Sequence, residues 1–149
     1  MLVDRIATLP LTPPVTVERG SSVGGLLDEV QSKNVGCVLV VEHGRLVGII
    51  TERDVLLKIV ARDIPNTAVV DEYMTSDPVT LTLEHCIGDA VTLMNERNFR
   101  HIPIVDDAGE AHGIVSVKDV INLIAESFPE KVLNLPPRPH QKMETPEGG

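Results

Sequence analysis

Apolar side chains recur at helical spacing in matching places along the chain. After Ser21-Ser22, Val23, Leu26, Leu27 and Val30 fall at i, i+3, i+4 and i+7, and Ile87, Ala90, Val91 and Met94 repeat the spacing. Each set predicts an amphipathic helix of about three turns, the first with a serine as N-cap. The pattern then changes to short unbroken apolar runs. Val35 to Val41 reads as a buried strand, His43-Gly44-Arg45 as a tight turn and Leu46 to Ile50 as the returning strand. Ile102 to Val105, a turn at Asp106-Asp107-Ala108-Gly109 and His112 to Val115 say the same again. A second helix is predicted after each hairpin. Thr51 caps one carrying Val55, Leu56 and Ile59, and Ser116 caps one carrying Val120, Leu123 and Ile124. Pro13-Pro14 and Asp77-Pro78 each precede a short predicted strand, Val15-Thr16-Val17 and Val79-Thr80-Leu81. The predicted unit is β-α-β-β-α, present twice, with Arg62 to Val69 as the link. The fold class is α/β (α+β by some schemes).

The wording repeats along with the pattern. Gly48-Ile49-Ile50-Thr51-Glu52-Arg53-Asp54-Val55 returns as Gly113-Ile114-Val115-Ser116-Val117-Lys118-Asp119-Val120, an offset of 65 (113 minus 48). Pro14-Val15-Thr16 returns as Pro78-Val79-Thr80 and Asn34 as Asn98, at an offset of 64, so one residue is inserted around Asp106 to Ala108. This is a duplicated supersecondary unit. Two such units paired about a pseudo-twofold axis leave a cleft that a repeated hydroxyl and carboxylate can serve twice. The boundaries read as 1–64 for the first repeat, 65–128 for the second and 129–149 for a Pro-rich tail.

Composition narrows the possibilities. Each half of about 65 residues is near the lower limit for independent stability, so a shared core is expected. With no Trp, one Tyr and two Phe, that core is aliphatic. No apolar run is long enough to span a bilayer, and Met1-Leu2-Val3-Asp4-Arg5 does not open a secretory signal, so a cytoplasmic setting is expected. Cys37 and Cys86 lie in stretches read as buried; both read as small core residues rather than nucleophiles. The net charge of −9 argues against nucleic-acid and anionic-membrane partners. It leaves room for one bound phosphate, which a local arginine or helix end can hold. His43, His85, His101, His112 and His140 show no metal-ligand spacing with the cysteines.

The hydroxyl-x-x-Asp pair admits two readings. It is an ordinary helix-capping arrangement. It is also a way to hold a nucleotide on one helical turn: N–H groups and the hydroxyl suit a phosphate, and the Asp accepts from two vicinal ribose hydroxyls. Arg53, Lys118 and Arg100 are the nearby cations. Arg100-His101 also reads as a strand-edge pair making surface hydrogen bonds.

Asp71-Glu72-Tyr73-Met74-Thr75 with Asp77-Pro78-Val79-Thr80, then Asn98-Phe99-Arg100-His101-Ile102-Pro103-Ile104-Val105-Asp106, and the two Gly-x-x-hydroxyl-x-x-Asp segments together resemble a tandem pair of cystathionine-β-synthase (CBS) domains, the Bateman module. The resemblance spans roughly residues 1 to 127. Asn34-Val35-Gly36-Cys37 and Thr51-Glu52-Arg53-Asp54 are closest in wording to stand-alone two-CBS proteins. What it implies is a non-catalytic regulatory module with no required cofactor. Its ligand would be adenosyl, with AMP, ADP or ATP favoured and S-adenosylmethionine or a dinucleotide also known for such modules. Two modules would join in a disc-like homodimer that signals to a regulated protein partner. Carried over by position, Thr51 and Asp54 would hold phosphate and ribose in one site and Ser116 and Asp119 in the other. Thr16 and Thr80 would lie near the base. Gly36-Cys37-Val38 and His101-Ile102-Pro103 would line the adenine pockets, and Arg53, Arg100, His101 and Lys118 would face the phosphates. Gly36-Cys37 stands where the second copy has Arg100-His101, so the two sites are expected to differ in affinity, in an order the wording leaves open. The competing reading is a structural or interaction module with vestigial clefts; an enzyme has the least support. In the tail, Val132 to Leu135 reads as a docking segment and 140–149 as disordered or extended.

Overall fold

Both helix–hairpin–helix series are present in the computed structural model, which describes residues 1–127; the tail expectations lie outside the described residues. In the first half β1 (Thr16–Glu18), α1 (Val23–Lys33), β2 (Cys37–Glu42) and β3 (Arg45–Thr51) follow in order. Next comes α2 (Glu52–Asp54), a single turn that continues as a π-helical stretch, Val55–Val60. The second half holds β4 (Thr75–Ser76), α3 (Ile87–Arg97), β5 (His101–Val105), β6 (Ala111–Ser116) and α4 (Val117–Ser127). The architecture is mixed α/β.

Local chemistry sets the boundaries. Ser22 caps α1, its hydroxyl accepting from the Gly25 N–H at 3.1 Å. Asn34 and Asn98 both end their helices in the left-handed region, at φ 50° and 58°, which explains their repetition. His43 and Gly44 take φ of 52° and 79°, the conformation of a two-residue hairpin turn. Cys86, read as buried, is only half-buried; its N–H and Sγ both donate to Asp89 at the start of α3. Both cysteines are free thiols.

The order β1-β2-β3-β4 defines a four-stranded sheet, β1 parallel to β2 and the rest antiparallel, and β5-β6 a two-stranded one. Isolated bridges extend the smaller sheet in the same pattern. Leu81 bridges Ile104 in parallel as Val17 pairs with Val40, and Thr12 bridges Ile114 as Thr75 pairs with Ile49. The strand predicted over Val79 to Leu81 is therefore reduced to one bridge. In the first half the Leu39 N–H donates to the Val15 carbonyl, and the equivalent of Leu39 is Pro103, which has no N–H to give.

Each half is completed by a segment that sequence order assigns to the other. Ile6 and Leu9 are buried with Leu81, Ile87, Ala90, Ile102, Ile104, Val115 and Val120 of the second half. Val70 lies in the first-half core with Val23, Leu26, Val38, Val40, Ile50 and Ile59. Backbone bonds fix both crossings: the Ile6 N–H donates to the His85 carbonyl and the Val70 N–H to the Ser21 carbonyl. A smaller cluster, Cys37, Leu39 and Ile49 with Ile114, seals the seam between the halves.

Two predicted core positions face outward. Leu56 is 59% exposed and Ile124 41%. Leu56 follows Val55 by one residue and so falls off the stripe of Val55 and Ile59; its equivalent in the regular helix α4, Ile121, is 58% exposed in the same way. Ile124 sits beside the α4 stripe that buries Val120 and packs Leu123.

Candidate functional site

Both hydroxyl-x-x-Asp segments form complete capping boxes. The Asp54 N–H donates to Thr51 Oγ1 at 3.2 Å, and the Thr51 N–H donates to Asp54 Oδ2 at 3.0 Å. The Asp119 N–H donates to Ser116 Oγ at 3.1 Å and the Ser116 N–H to Asp119 Oδ2 at 2.9 Å. The two boxes differ in the remaining carboxylate oxygen. Lys58 Nζ sits 3.2 Å from Asp54 Oδ1, whereas Asp119 Oδ1 has no protein partner among the described residues. A carboxylate oxygen has two acceptor positions, so each Asp keeps capacity for ligand hydroxyls.

A cavity of about 1030 Å³ opens beside the first box. Gly36, Ile49, Leu56 and the run Thr51 to Asp54 line it from the first half; Thr75 to Val79 enter from the crossing segment, and Arg97 to His101 with Pro103 close it from the second half. Gly48 is what lets that segment cross, since a Cβ there would overlap the Met74 side chain. Gly113 does the same for Leu11 and Thr12, with Leu11 Cβ 2.8 Å from where a Cβ would stand. The repeated glycine of each copy is thus a site of close approach.

The cleft walls are apolar at Ile49, Pro78, Val79, Phe99 and Pro103 and polar at Thr51, Asp54, Thr75 and Asp77. Arg53, Arg97 and Arg100 line it, and none is in an ion pair among the described residues. His101 is half-buried, and a Cβ at position 36 would lie 2.6 Å from its Nε2, so Gly36 leaves the ring its space. Burial pushes the His101 imidazole below its usual pKa, against the opposing pull of Glu52 and Asp119, with Arg100 adding to the depression. Burial, then the Glu52 charge, pushes the Cys37 thiol up to about 12, which leaves it un-ionised and unreactive.

Of the residues singled out by sequence, Thr51, Arg53, Asp54, Gly36, Arg100, His101 and Pro103 come together in this cavity. Val38 and Ile102 do not line it: successive strand residues face opposite ways, and both point into the half-cores with no exposed surface. Cys37 is buried in the seam and Thr16 is exposed on β1. Thr80, Ser116, Lys118 and Asp119 lie outside the lining of this cavity. Thr75, Asp77, Val79, Arg97 and Phe99 were not picked out as site residues. Thr75 and Asp77 reach the first motif only because the segments cross. Among the described residues no group of three or more His, Cys, Asp or Glu side chains is placed to hold a metal ion, and no helix is long and apolar enough to cross a membrane.

Two half-cores, exchanged segments and a capped hydroxyl-x-x-Asp turn at the seam define the class. The CBS-domain family model matches residues 6–61 and 70–126, and the chain belongs to that family. It is 30% identical over 126 residues to an uncharacterized 17.7 kDa protein of Acidianus ambivalens, covering 84% of this chain and 76% of that protein. It is 29% identical over 121 residues to the inosine-5'-monophosphate dehydrogenase of Nitrosopumilus maritimus, covering 80% of this chain but only 24% of the enzyme. Among solved structures, it is similar to the CBS domain pair of protein MJ0100 in complex with 5'-methylthioadenosine and S-adenosyl-L-methionine, with a TM-score of 0.75, 25% identity, and coverage of 84% of this chain and 98% of that one. It is also similar to CBSX2 in complex with AMP, with a TM-score of 0.70, 25% identity, and coverage of 82% and 96%.

Proposed function

We propose that the chain is a non-catalytic regulatory module that binds an adenosyl ligand in the Thr51–Asp54 cleft. The observation that carries this is one cavity in which a capped carboxylate faces guanidinium groups unpaired among the described residues. Asp54 would accept the ribose hydroxyls, Arg53 and Arg100 would hold phosphate, and Ile49 and Val79 would enclose the base. MJ0100 and CBSX2 with their adenosyl ligands support the ligand class. Because the cleft takes its walls from both halves, a ligand that fits one arrangement better shifts the population toward it, and a partner reads that shift. The working form is a cytoplasmic homodimer joined through apolar side chains left uncovered on the motif helices: Leu56, Leu57 and Val60 on one, Ile121 and Ile124 on the other. The second reading, a dimerisation module with vestigial clefts, draws on the same exposed side chains and on capping boxes that are complete without ligand.

Calorimetry and thermal unfolding with AMP, ADP, ATP and S-adenosylmethionine separate the two. At about a thousandfold excess over Kd a site-specific ligand stabilises by about 4 kcal/mol. Asp54→Ala removes that increment, while Asp119→Ala retains it. The increment, not absolute stability, is compared, because either variant also loses a cap worth about 1 kcal/mol. No heat and no stabilisation by any of these ligands leaves the dimerisation module as the function.

A further inference from the structure

Resting on the adenosyl reading, we infer that the cleft is built for a nucleoside polyphosphate, and that Arg97 reads the phosphates beyond the first. Comparison of the two repeats at the end of their first helix carries this. Lys33 closes α1, where a cation suits the helix C-terminus, and its Nζ is held 3.0 Å from Glu29 one turn back. The same place in α3 is Arg97, and one turn back stands Leu93 instead of an acid. Arg97 instead lies over the Phe99 ring, 5.5 Å from its centroid, and both residues line the cavity. Position 99 is Val35 in the first repeat and position 100 is Gly36. The second repeat has thus exchanged a self-contained helix end for two guanidiniums and an aromatic support, all turned to one cleft.

Phosphate counting follows. Arg53 from α2 and Arg100 from the loop before β5 approach from opposite halves. Two planar forks already match the charge and the oxygens of one phosphoryl group. Arg97 is a third guanidinium on a lining that also holds Glu52, Asp54 and Asp77; exposed and unpaired among the described residues, it is left over for a further phosphate. Stacking on Phe99 limits its freedom, so less is lost when it grips a further phosphate.

The test is calorimetric titration of the full chain with adenosine, AMP, ADP and ATP in magnesium-free buffer. It is run on wild type, Arg97→Gln and Lys33→Gln. We expect ATP to bind at least about tenfold tighter than AMP in wild type, one charge-assisted contact's worth. That ratio should fall to about two or less in Arg97→Gln and stay unchanged in Lys33→Gln. Equal affinity for AMP and ATP in wild type, or a ratio that survives Arg97→Gln, overturns the polyphosphate inference and leaves the adenosyl reading standing. Failure of all four ligands to bind overturns the polyphosphate inference, and failure of S-adenosylmethionine as well overturns the adenosyl reading. Arg97 is exposed, and melting curves without ligand check that its replacement leaves the fold intact.

Discussion

At the residue scale, His101 is where charges of both halves meet. Glu52 of α2, Asp119 of α4 and neighbouring Arg100 all act on its ring, and burial outweighs the two carboxylates, so the folded protein favours neutral imidazole. In the unfolded chain the ring titrates at its ordinary 6.5. The sign is fixed by linkage: the unfolded state binds the proton more readily, so this contribution is full above 6.5 and declines as pH falls below it. Asp71, held below its usual range chiefly by the Gly20 N–H and by Arg19, and Asp106, held down by His112 and backbone N–H groups, act below 3.8, outside that window. Urea midpoints of wild type should drop between about pH 7.5 and about pH 5, and His101→Asn should flatten the drop. Parallel losses in the two proteins would remove His101 from the account.

At the element scale, the crossing of segments matters most. Ile6 belongs to the first repeat by sequence but is fully buried in the second-half core. Ile6→Ala should therefore cost about 2–5 kcal/mol. Amide exchange should accelerate first in β5 and β6; acceleration confined to β2 and β3 would mean that the N-terminal segment serves its own half. The hydrophobic period revealed both helices and both hairpins, and the duplication revealed the capped Thr51 and Ser116 turns, because these are local and backbone-determined. The partners of Thr51 that come from the crossing segment were not legible. Whether Thr75 to Val79 serve the first motif or the second is a matter of long-range pairing, on which local pattern is silent. The loss of the strand at Val79 to Leu81 was written in Pro103, but only knowledge of which residue faces Val79 gives that proline its meaning. Leu56 turns outward as its equivalent Ile121 does in the regular helix α4, because each stands one residue past the buried stripe.

At the scale of the whole molecule, the motif helices would join the proposed ligand to the proposed assembly. Thr51 and Asp54 begin a helical stretch whose later residues, Leu56 and Val60, are exposed by 59% and 58%, and Ile121 on α4 by 58%. Apolar side chains uncovered on both helices fit a self-complementary interface between two copies. Leu56→Asp with Ile121→Asp should convert the proposed dimer to a monomer in sedimentation equilibrium while the far-ultraviolet spectrum stays unchanged. A wild-type chain that sediments as a monomer at high concentration would dispose of the dimer. The crossed segments also set a timetable for synthesis. Val70 leaves the ribosome soon after the core it completes, but Ile6, made well before the core it fills, must wait until His85 and β5 have followed. During that interval the N-terminal segment is an unoccupied plug beside nascent neighbours on the same message. Chains translated close together are therefore candidates for exchanging these plugs, which would yield interlocked pairs instead of simple ones.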